Sequence, residues 1–129
     1  MKSTIFLLSF LFLSVLGYSQ NNSANCNCCT ETHSQFDFWI GDWVVTNPDG
    51  KNSIDKIQDK CILRENWTSA KGNFTGTSYN FYNAQKKQWE QIWVDNQGGN
   101  LHLKGHRKGN QMILRTENAK NKNGQTFYH

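Results

Sequence analysis

The sequence lacks an apolar run long enough to cross a membrane. Its longest apolar segment, from Ile5 to Leu16, is interrupted by two serines, whereas a membrane-spanning helix needs about 20 predominantly apolar residues. Lys2 precedes this segment, and small residues at Gly17 and Ser19 follow it. This arrangement is typical of a cleaved secretory signal peptide. We therefore predict a signal peptide at residues 1–19, no membrane span, and a secreted or periplasmic location.

The sequence also lacks a dense basic stripe with interleaved aromatic residues, the pattern that indicates nucleic-acid binding. The formal net charge is +4, but the basic residues near the C-terminus alternate with apolar ones, as on the solvated face of a strand. These residues are Lys104, Arg107, Lys108, Arg115, Lys120 and Lys122. We therefore expect no nucleic acid among the partners.

A third absence is helical periodicity, because no segment after Ile40 has the spacing of an amphipathic helix, and no internal repeat is present. Apolar and polar residues instead alternate between breaks rich in Gly, Asn and Asp, which is the pattern of strands. The predicted strands are Trp43–Thr46, a long strand Ser53–Trp67 with a bend near Gln58–Cys61, Phe74–Tyr82, Trp89–Asp95, Leu101–Gly105 and Met112–Glu117. Pro48-Asp49-Gly50 is predicted to be a turn, because Pro presets φ and Gly accepts a positive φ.

The most apolar stretch outside the leader, Phe36 to Val45, is rich in aromatic residues. It predicts a short helical turn at Phe36–Ile40, a hinge at Gly41 and a first strand from Trp43. Such a stretch can plug one end of a small barrel and begin its wall. The plug residues are predicted to be Phe38, Trp39, Gly41 and Trp43.

Hairpin registers determine which side chains share a face, because cross-strand partners lie on the same face of a sheet. The predicted pairs are Trp67 with Phe74, Tyr82 with Trp89, Asp95 with Leu101, and Leu103 with Met112. One face then holds three tryptophans and no lysine or arginine, so we take it as the barrel interior. The candidate ligand-binding residues on it are Glu65, Trp67, Ser78, Asn80, Tyr82, Trp89, Gln91, Trp93 and Asp95.

The opposite face carries an apolar patch of Tyr79, Phe81, Ile92 and Val94, which we call the outer patch. Three interpretations stay open: the N-terminal segment covers it, a second copy of the chain binds there, or the face assignment is inverted. His102 and His106 lie on the same outer face about 13 Å apart. That spacing is too wide for two ligands of one metal ion, so both are expected to be solvated.

Four cysteines, Cys26, Cys28, Cys29 and Cys61, are expected to oxidise in an exported chain. Four cysteines allow three pairings. A Cys28–Cys29 bond would be strained, so Cys61 is expected to pair with Cys28 or Cys29, which closes a loop of about 32 residues worth roughly 3–4 kcal/mol. The alternative is a copper(I) or zinc site formed by Cys26, Cys28, Cys29 and His33. The oxidising compartment argues against it, and we predict no metal and no cofactor.

An ordered series of segments consists of Phe36–Trp43, Cys61–Glu65 with Trp67, Gly76–Tyr82 and Trp89–Asp95. The series resembles a group of small secreted bacterial proteins of unknown function with calycin-like barrels, related in shape to lipocalins and nitrobindins. Gly41-Asp42-Trp43 resembles the G-x-W that opens the lipocalin barrel. The resemblance covers about Cys28 to Thr116 and implies an antiparallel up-and-down barrel of usually about eight to ten strands.

This chain supplies about six strands before Gln125–His129 starts another. We therefore expect an incomplete all-β barrel with a short N-terminal helical plug, in which the C-terminal strands are missing. The domain prediction is a signal peptide at residues 1–19, a flexible cysteine-containing segment at 20–32 and a calycin-like barrel at 33–129.

The resemblance and the mixed interior predict a secreted barrel that binds a small amphipathic or sugar-like molecule. Two alternatives stay open. Glu65 and Asp95 would flank Gly76 on the interior face, where two carboxylates can serve acid–base chemistry in a hydrolase or isomerase; they can equally bind internal water or backbone amides. The third hypothesis is a structural or interaction module that uses the outer patch, with homo-oligomers as its product.

Overall fold

The computed structural model describes residues 26–129. The predicted signal peptide at residues 1–19 and the first part of the 20–32 segment lie outside the described residues. Within residues 26–129, no helix is both long enough and apolar enough to cross a membrane.

Seven strands form one antiparallel sheet, in which each strand pairs with the next along the chain. The sheet curls into a half-barrel, so the predicted all-β, antiparallel, incomplete barrel is confirmed. The strands are β1 (Gly41–Thr46), β2 (Asp49–Ile57), β3 (Ile62–Ser69), β4 (Thr75–Asn83), β5 (Gln88–Asp95), β6 (Asn100–Lys108) and β7 (Gln111–Arg115). Two short strands, β8 (Ala119–Lys120) and β9 (Thr126–Phe127), pair in a second sheet.

Burial alternates along the central strands, as the sequence pattern predicted. In β3, Leu63, Glu65 and Trp67 are buried on the concave face, whereas Asn66 between them is exposed. The concave face is therefore the one that the sequence assigns to the interior. Ile92 and Val94 are 42% and 49% exposed on the convex face, so the face assignment is not inverted.

The prediction of one long strand from Ser53 to Trp67 is wrong, because β2 and β3 are separate antiparallel strands. The chain reverses at Gln58, Asp59 and Lys60, whose φ angles are 50°, 49° and 70°. The N–H of Cys61 donates to the Gln58 carbonyl at 3.0 Å and closes the turn. None of the three left-handed residues is glycine, so the turn signal in the sequence is weak. The pairing of β2 with β3 imposes the turn.

The predicted pairing of Tyr82 with Trp89 is confirmed. The pairing of Trp67 with Phe74 is wrong, because Trp67 lies opposite Gly76. This register is displaced by two residues, and an even displacement keeps every side chain on its predicted face.

The last two predicted pairings are also wrong by an even number of residues. Leu101 lies opposite Trp93 instead of Asp95, because the Asp95 carboxylate folds a tighter turn. Met112 lies opposite Arg107 instead of Leu103, because β6 runs on to Lys108. The connection to β7 is then only a two-residue turn, in which Gly109 has a φ of 60°.

The turn predicted at Pro48-Asp49-Gly50 lies earlier, because Thr46 pairs with Asp49 and leaves Asn47 and Pro48 as the connection. Gly50 is already in β2 and has a different role from the predicted one. A Cβ at Gly50 would lie 2.5 Å from Cη2 of Trp67, so only glycine leaves room for that ring. Gly76 is likewise covered by the ring of Trp93.

The core lies where the N-terminal segment crosses the concave face. Phe36, Ile54, Leu63 and Trp89 are buried together, and Trp39, Tyr82, Met112 and Leu114 pack against them. Two 3₁₀ helices, Thr32–Ser34 and Asp37–Trp39, position Phe36. Its ring stacks on Trp39 at 4.9 Å between centroids and meets Trp89 edge-on at 5.6 Å.

An ion pair fastens this segment, since Lys56 lies 2.6 Å from Asp37 and donates to the His33 carbonyl at 3.2 Å. Of the predicted plug residues, Phe38 and Trp43 are 49% and 44% exposed. Trp39, a predicted plug residue, packs against the core. Phe36, which was not among the predicted plug residues, is part of the core itself. Trp43 contributes by donating its Nε1 proton to the Trp39 carbonyl at 2.7 Å.

Two disulfides staple the start of the described chain. Cys61 is bonded to Cys28, one of its two expected partners. Cys26 is bonded to Cys29. All four cysteines are oxidised, so the alternative copper or zinc site with His33 has no thiolate ligand. Residues 26–129 contain no group of three His, Cys, Asp or Glu side chains arranged for a metal ion.

Candidate functional site

A polar network lies on the concave face and is centred on the carboxylate of Glu65, which is 7% exposed. Asn52 Nδ2 donates to Glu65 Oε1 at 2.7 Å. Ser78 Oγ donates to Oε2 at 2.6 Å, and Gln91 Nε2 donates to the same oxygen at 3.2 Å. The carboxylate thus accepts three hydrogen bonds from side chains of three different strands.

Strand registers bring these groups together. Glu65 on β3 lies opposite Ser78 on β4, and Asn80 on β4 lies opposite Gln91 on β5. The direct pairing of Asn80 with Gln91 follows from the predicted pairing of Tyr82 with Trp89 two residues along. Their amides meet at Ser78, whose Oγ accepts Asn80 Nδ2 at 2.9 Å and Gln91 Nε2 at 3.0 Å. We call Asn52, Glu65, Ser78, Asn80 and Gln91 the polar network.

Two acceptors of the polar network have no partner in the part of the chain that the structure describes. The Oδ1 atoms of Asn52 and Asn80 are buried and receive no hydrogen bond from the residues described. The orientations of both amides are fixed, because Asn52 Nδ2 faces a carboxylate and Asn80 Nδ2 donates to the Leu63 carbonyl at 3.2 Å. A buried polar group without a partner costs about 1–3 kcal/mol. The network is therefore short of hydrogen-bond donors.

Aromatic side chains surround the polar network. Trp67 and Trp89 are 9% and 1% exposed, and Tyr82 meets Trp89 edge-on at 6.1 Å. Trp93 is only half-buried and lies over Gly76. Gln91 is also half-buried, whereas Ser78 and Asn80 are buried. Solvent therefore reaches the polar network at Gln91, next to Trp93.

Asp95 lies apart from the polar network and supports a turn. Its Oδ1 accepts the backbone N–H groups of Gln97 and Gly99, each at 2.9 Å. Its Oδ2 accepts Trp93 Nε1 at 3.2 Å. The Gly99 N–H, followed by those of Gln97 and Trp93, lowers the pKa of Asp95. This carboxylate is committed to the β5–β6 turn, and its three partners are separate from those of Glu65.

The structure thus brings together four of the nine predicted ligand-binding residues, Glu65, Ser78, Asn80 and Gln91, in direct hydrogen bonds. Trp67, Tyr82, Trp89 and Trp93 lie on the same face as their apolar border, and Asp95 closes the adjoining turn. Asn52 was missed, because the predicted long strand began at Ser53. Recognition of the reversal at Gln58–Lys60 would have placed Asn52 opposite Trp67 and hence on the concave face.

A second buried carboxylate, Glu90, lies on the convex face, where the sequence predicted solvated side chains. It is 3% exposed and its Oε1 accepts Asn83 Nδ2 at 2.9 Å and Gln88 Nε2 at 3.0 Å. His102 Nε2 lies 2.7 Å from Oε2, and Lys86 Nζ lies 3.5 Å from Oε1. The hydrogen bond from Gln88, together with those from His102 and Asn83 and the charge of Lys86, lowers the pKa of Glu90 to about 2.

The expectation of two solvated histidines therefore needs a correction at His102, because its ring is hydrogen-bonded to Glu90 although its side chain is 46% exposed. Two residues along β6 from His102, Lys104 forms an ion pair with Glu117 at 2.6 Å. This pair lowers the pKa of Glu117. The outer patch lies farther along the same face. Tyr79 is 43% exposed and lies opposite Ile92, and Phe81 is half-buried opposite Glu90.

Comparison of the chain with protein-family models, with curated proteins and with solved structures finds no match.

Proposed function

We propose that the concave face of the half-barrel binds a small molecule that donates hydrogen bonds to the polar network. The observation that supports this proposal is a pair of buried amide oxygens, on Asn52 and Asn80, that accept no hydrogen bond from residues 26–129. Five polar side chains within an aromatic border are a costly way to build an inert core. A ligand with hydroxyl or amine donors offsets that cost.

The aromatic border supports a proposal for the apolar part of the ligand. Trp93 and Gln91 are half-buried at the open side of the concave face, and a tryptophan ring suits stacking on the apolar face of a sugar or alkyl group. The ligand class is therefore amphipathic or sugar-like, with donors directed to the network and carbon surface against the tryptophans. The resemblance to secreted calycin-like barrels is a second argument for the same proposal, at the level of fold.

The enzymatic alternative, a hydrolase or isomerase that uses Glu65 and Asp95, has less support. Asp95 accepts three hydrogen bonds in its own turn, and Glu65 accepts three in the polar network. General acid–base groups must reach a shared substrate. Each carboxylate is held by its own set of three donors, which does not favour a substrate shared by both.

The binding proposal is tested with an alkyl glucoside below its micellar concentration, monitored by tryptophan fluorescence. Wild-type protein should show a saturable change in emission. The double replacement Asn80→Leu/Gln91→Leu removes one unpartnered oxygen and two amide donors, so the apparent affinity should fall at least tenfold. Stability to urea should fall modestly. The unpaired acceptor of Asn80 is lost, but the Glu65 carboxylate and the Leu63 carbonyl each lose a donor.

Asn66→Leu is the matched control, since Asn66 is exposed on the opposite face of β3, next to Glu65 in sequence. It should bind the glucoside like wild type. Saturable binding that survives the double replacement would contradict the location of the site. Loss of binding in the control as well would indicate a general change in the protein.

A second candidate function is self-association through the outer patch. Tyr79, Ile92 and Val94 are each more than two-fifths exposed and adjacent on β4 and β5. Apolar side chains that lie together on an exposed sheet face suit a second copy of the same face. Dissociation of an oligomer by Val94→Lys would support this candidate, and an unchanged oligomer would reject it.

A further inference from the structure

The two disulfides lie side by side in the chain but differ in exposure. Cys29 is exposed and Cys26 is half-buried. In the other bond Cys28 is 8% exposed and Cys61 is half-buried. Thiol–disulfide exchange requires a thiolate to reach one sulfur of the bond, so its rate depends on access. Of the four cysteines, Cys29 is the one that an external thiol reaches most easily.

The two bonds also close loops of very different length. Cys26 and Cys29 are separated by 3 positions, whereas Cys28 and Cys61 are separated by 33. In the chain-entropy model the stabilisation grows with the length of the closed loop. Opening the short bond therefore weakens the fold less. Opening the long bond releases the N-terminal segment from the β2–β3 turn.

The surroundings of Cys26 provide a hydrogen-bond acceptor for its own thiol in the reduced state. Its Sγ lies 3.6 Å from the backbone carbonyl oxygen of Asp59. In the disulfide the sulfur carries no proton, but a Cys26 thiol would donate its S–H to this oxygen. Asp59 is held in place by the neighbouring Cys28–Cys61 bond at the end of the same turn, so the acceptor remains in position when the short bond opens.

We propose that Cys26–Cys29 is an exchange site for low-molecular-weight thiols of the glutathione type, while Cys28–Cys61 is the structural disulfide. The thiolate of the first thiol attacks Cys29 Sγ. A bond forms between these two sulfurs, the Cys26–Cys29 bond breaks, and the electron pair leaves on Cys26 Sγ, which takes a proton from water.

A second thiol then completes the exchange. Its thiolate attacks the sulfur of the first small thiol in the mixed disulfide, and Cys29 leaves as a thiolate that is protonated. The products are one oxidised small-thiol dimer and two protein thiols. Two small thiols have thus been oxidised, and one protein disulfide has been reduced by two electrons.

The experiment uses the oxidised, exported protein in graded concentrations of reduced glutathione, followed by acid quenching, alkylation and tryptic mapping. Trypsin cleaves after Lys60 and Arg64, so the peptide Cys61–Arg64 stays linked to the N-terminal peptide as long as Cys28–Cys61 is intact. The N-terminal peptide should gain two alkyl groups at glutathione concentrations at least tenfold lower than those that free Cys61–Arg64. Mixed disulfide with glutathione at Cys29 should appear as the intermediate.

Paired variants provide the second readout. Cys26→Ser/Cys29→Ser should take up no glutathione and melt close to wild type. Cys28→Ser/Cys61→Ser should melt lower by roughly 10 °C or more, because the long loop is no longer closed. Release of Cys61–Arg64 at the same glutathione concentration as labelling of the N-terminal peptide would overturn the proposal. Labelling of Cys26 and Cys29 only after the chain unfolds would overturn it as well.

Discussion

At the scale of single residues, three carboxylates show how neighbours determine the role of a side chain. Glu65 is buried on the concave face, where it accepts hydrogen bonds from Asn52, Ser78 and Gln91. Asp95 folds a turn with backbone N–H groups. Glu90 is buried on the convex face beneath His102 and Lys86. A buried carboxylate is tolerated only when hydrogen-bond donors or positive charges surround it. The donors differ among the three carboxylates, and so does the role of each side chain.

For Glu90 the consequence is a dependence of stability on pH. Its pKa is lowered to about 2 in the folded chain, below the ordinary value near 4.5, so the folded state favours the ionised form. The stabilisation is therefore fully present above about pH 4.5 and is lost as the pH falls towards 2. Glu90→Gln should reduce the fall in melting temperature between pH 5 and pH 2.

The matched control for this prediction is Glu31→Gln, which removes an exposed carboxylate. It should melt with the wild-type pH profile.

The groups that face Glu90 are Asn83, Lys86, Gln88, His102 and, across the strand pair, Lys104. An identical acid profile for wild type and Glu90→Gln would show that this carboxylate makes no contribution to acid stability.

At the scale of elements, the N-terminal segment supplies the apolar core that a curled sheet cannot make alone. Phe36 is 8% exposed between Trp39 and Trp89, and Trp89 Nε1 donates to Gln35 at 3.2 Å. Lys56 and the Cys28–Cys61 disulfide fasten the same segment to β2 and to the β2–β3 turn. The segment is therefore part of the core, although it contributes no strand.

Phe36→Ala should consequently destabilise the protein strongly. The lost burial and the cavity left among aromatic rings are expected to cost about 3–5 kcal/mol in unfolding by urea. Phe38→Ala is the control at the neighbouring aromatic position, where the side chain is 49% exposed, and it should cost less than about 1 kcal/mol. Equal costs at the two positions would show that the segment does not pack as a core element.

At the scale of the whole molecule, the half-barrel has two open edges within residues 26–129. β1 pairs only with β2, and β7 pairs only with β6 in the seven-stranded sheet. After β7, the N–H of Thr116 bonds to the His129 carbonyl at 3.0 Å and extends this edge by one contact. Unpaired edge strands present free N–H and C=O groups to other chains, so the molecule carries a template for self-association.

Purified residues 20–129 should therefore be oligomeric or poorly soluble. Val44 is 81% exposed on the β1 edge strand, and a lysine there should oppose edge pairing by charge repulsion and solvation. Val44→Lys is expected to shift the sedimentation pattern towards the monomer. Val94→Lys, on the convex face of β5, separates edge pairing from association through the outer patch. A wild-type chain that sediments as a monomer and melts sharply would contradict the prediction.

The sequence by itself determined the strand pattern and the two faces of the sheet. Period-two alternation is local, and a register error of two or four residues moves no side chain to the other face. For this reason Glu65, Ser78, Asn80 and Gln91 were correctly placed on the concave face although three of four hairpin pairings were wrong. The approximate positions of β4 and β5 depended on the same local pattern.

Only the tertiary structure decided which polar groups meet. The reversal at Gln58–Lys60 depends on strand pairing and on the disulfide at Cys61, and without it Asn52 does not reach Glu65. The burial of Glu90 depends on His102, which comes from the next strand. A local pattern states which face a side chain occupies. Its hydrogen-bond partners, and therefore its chemistry, are set by residues that become neighbours only when distant segments pack together.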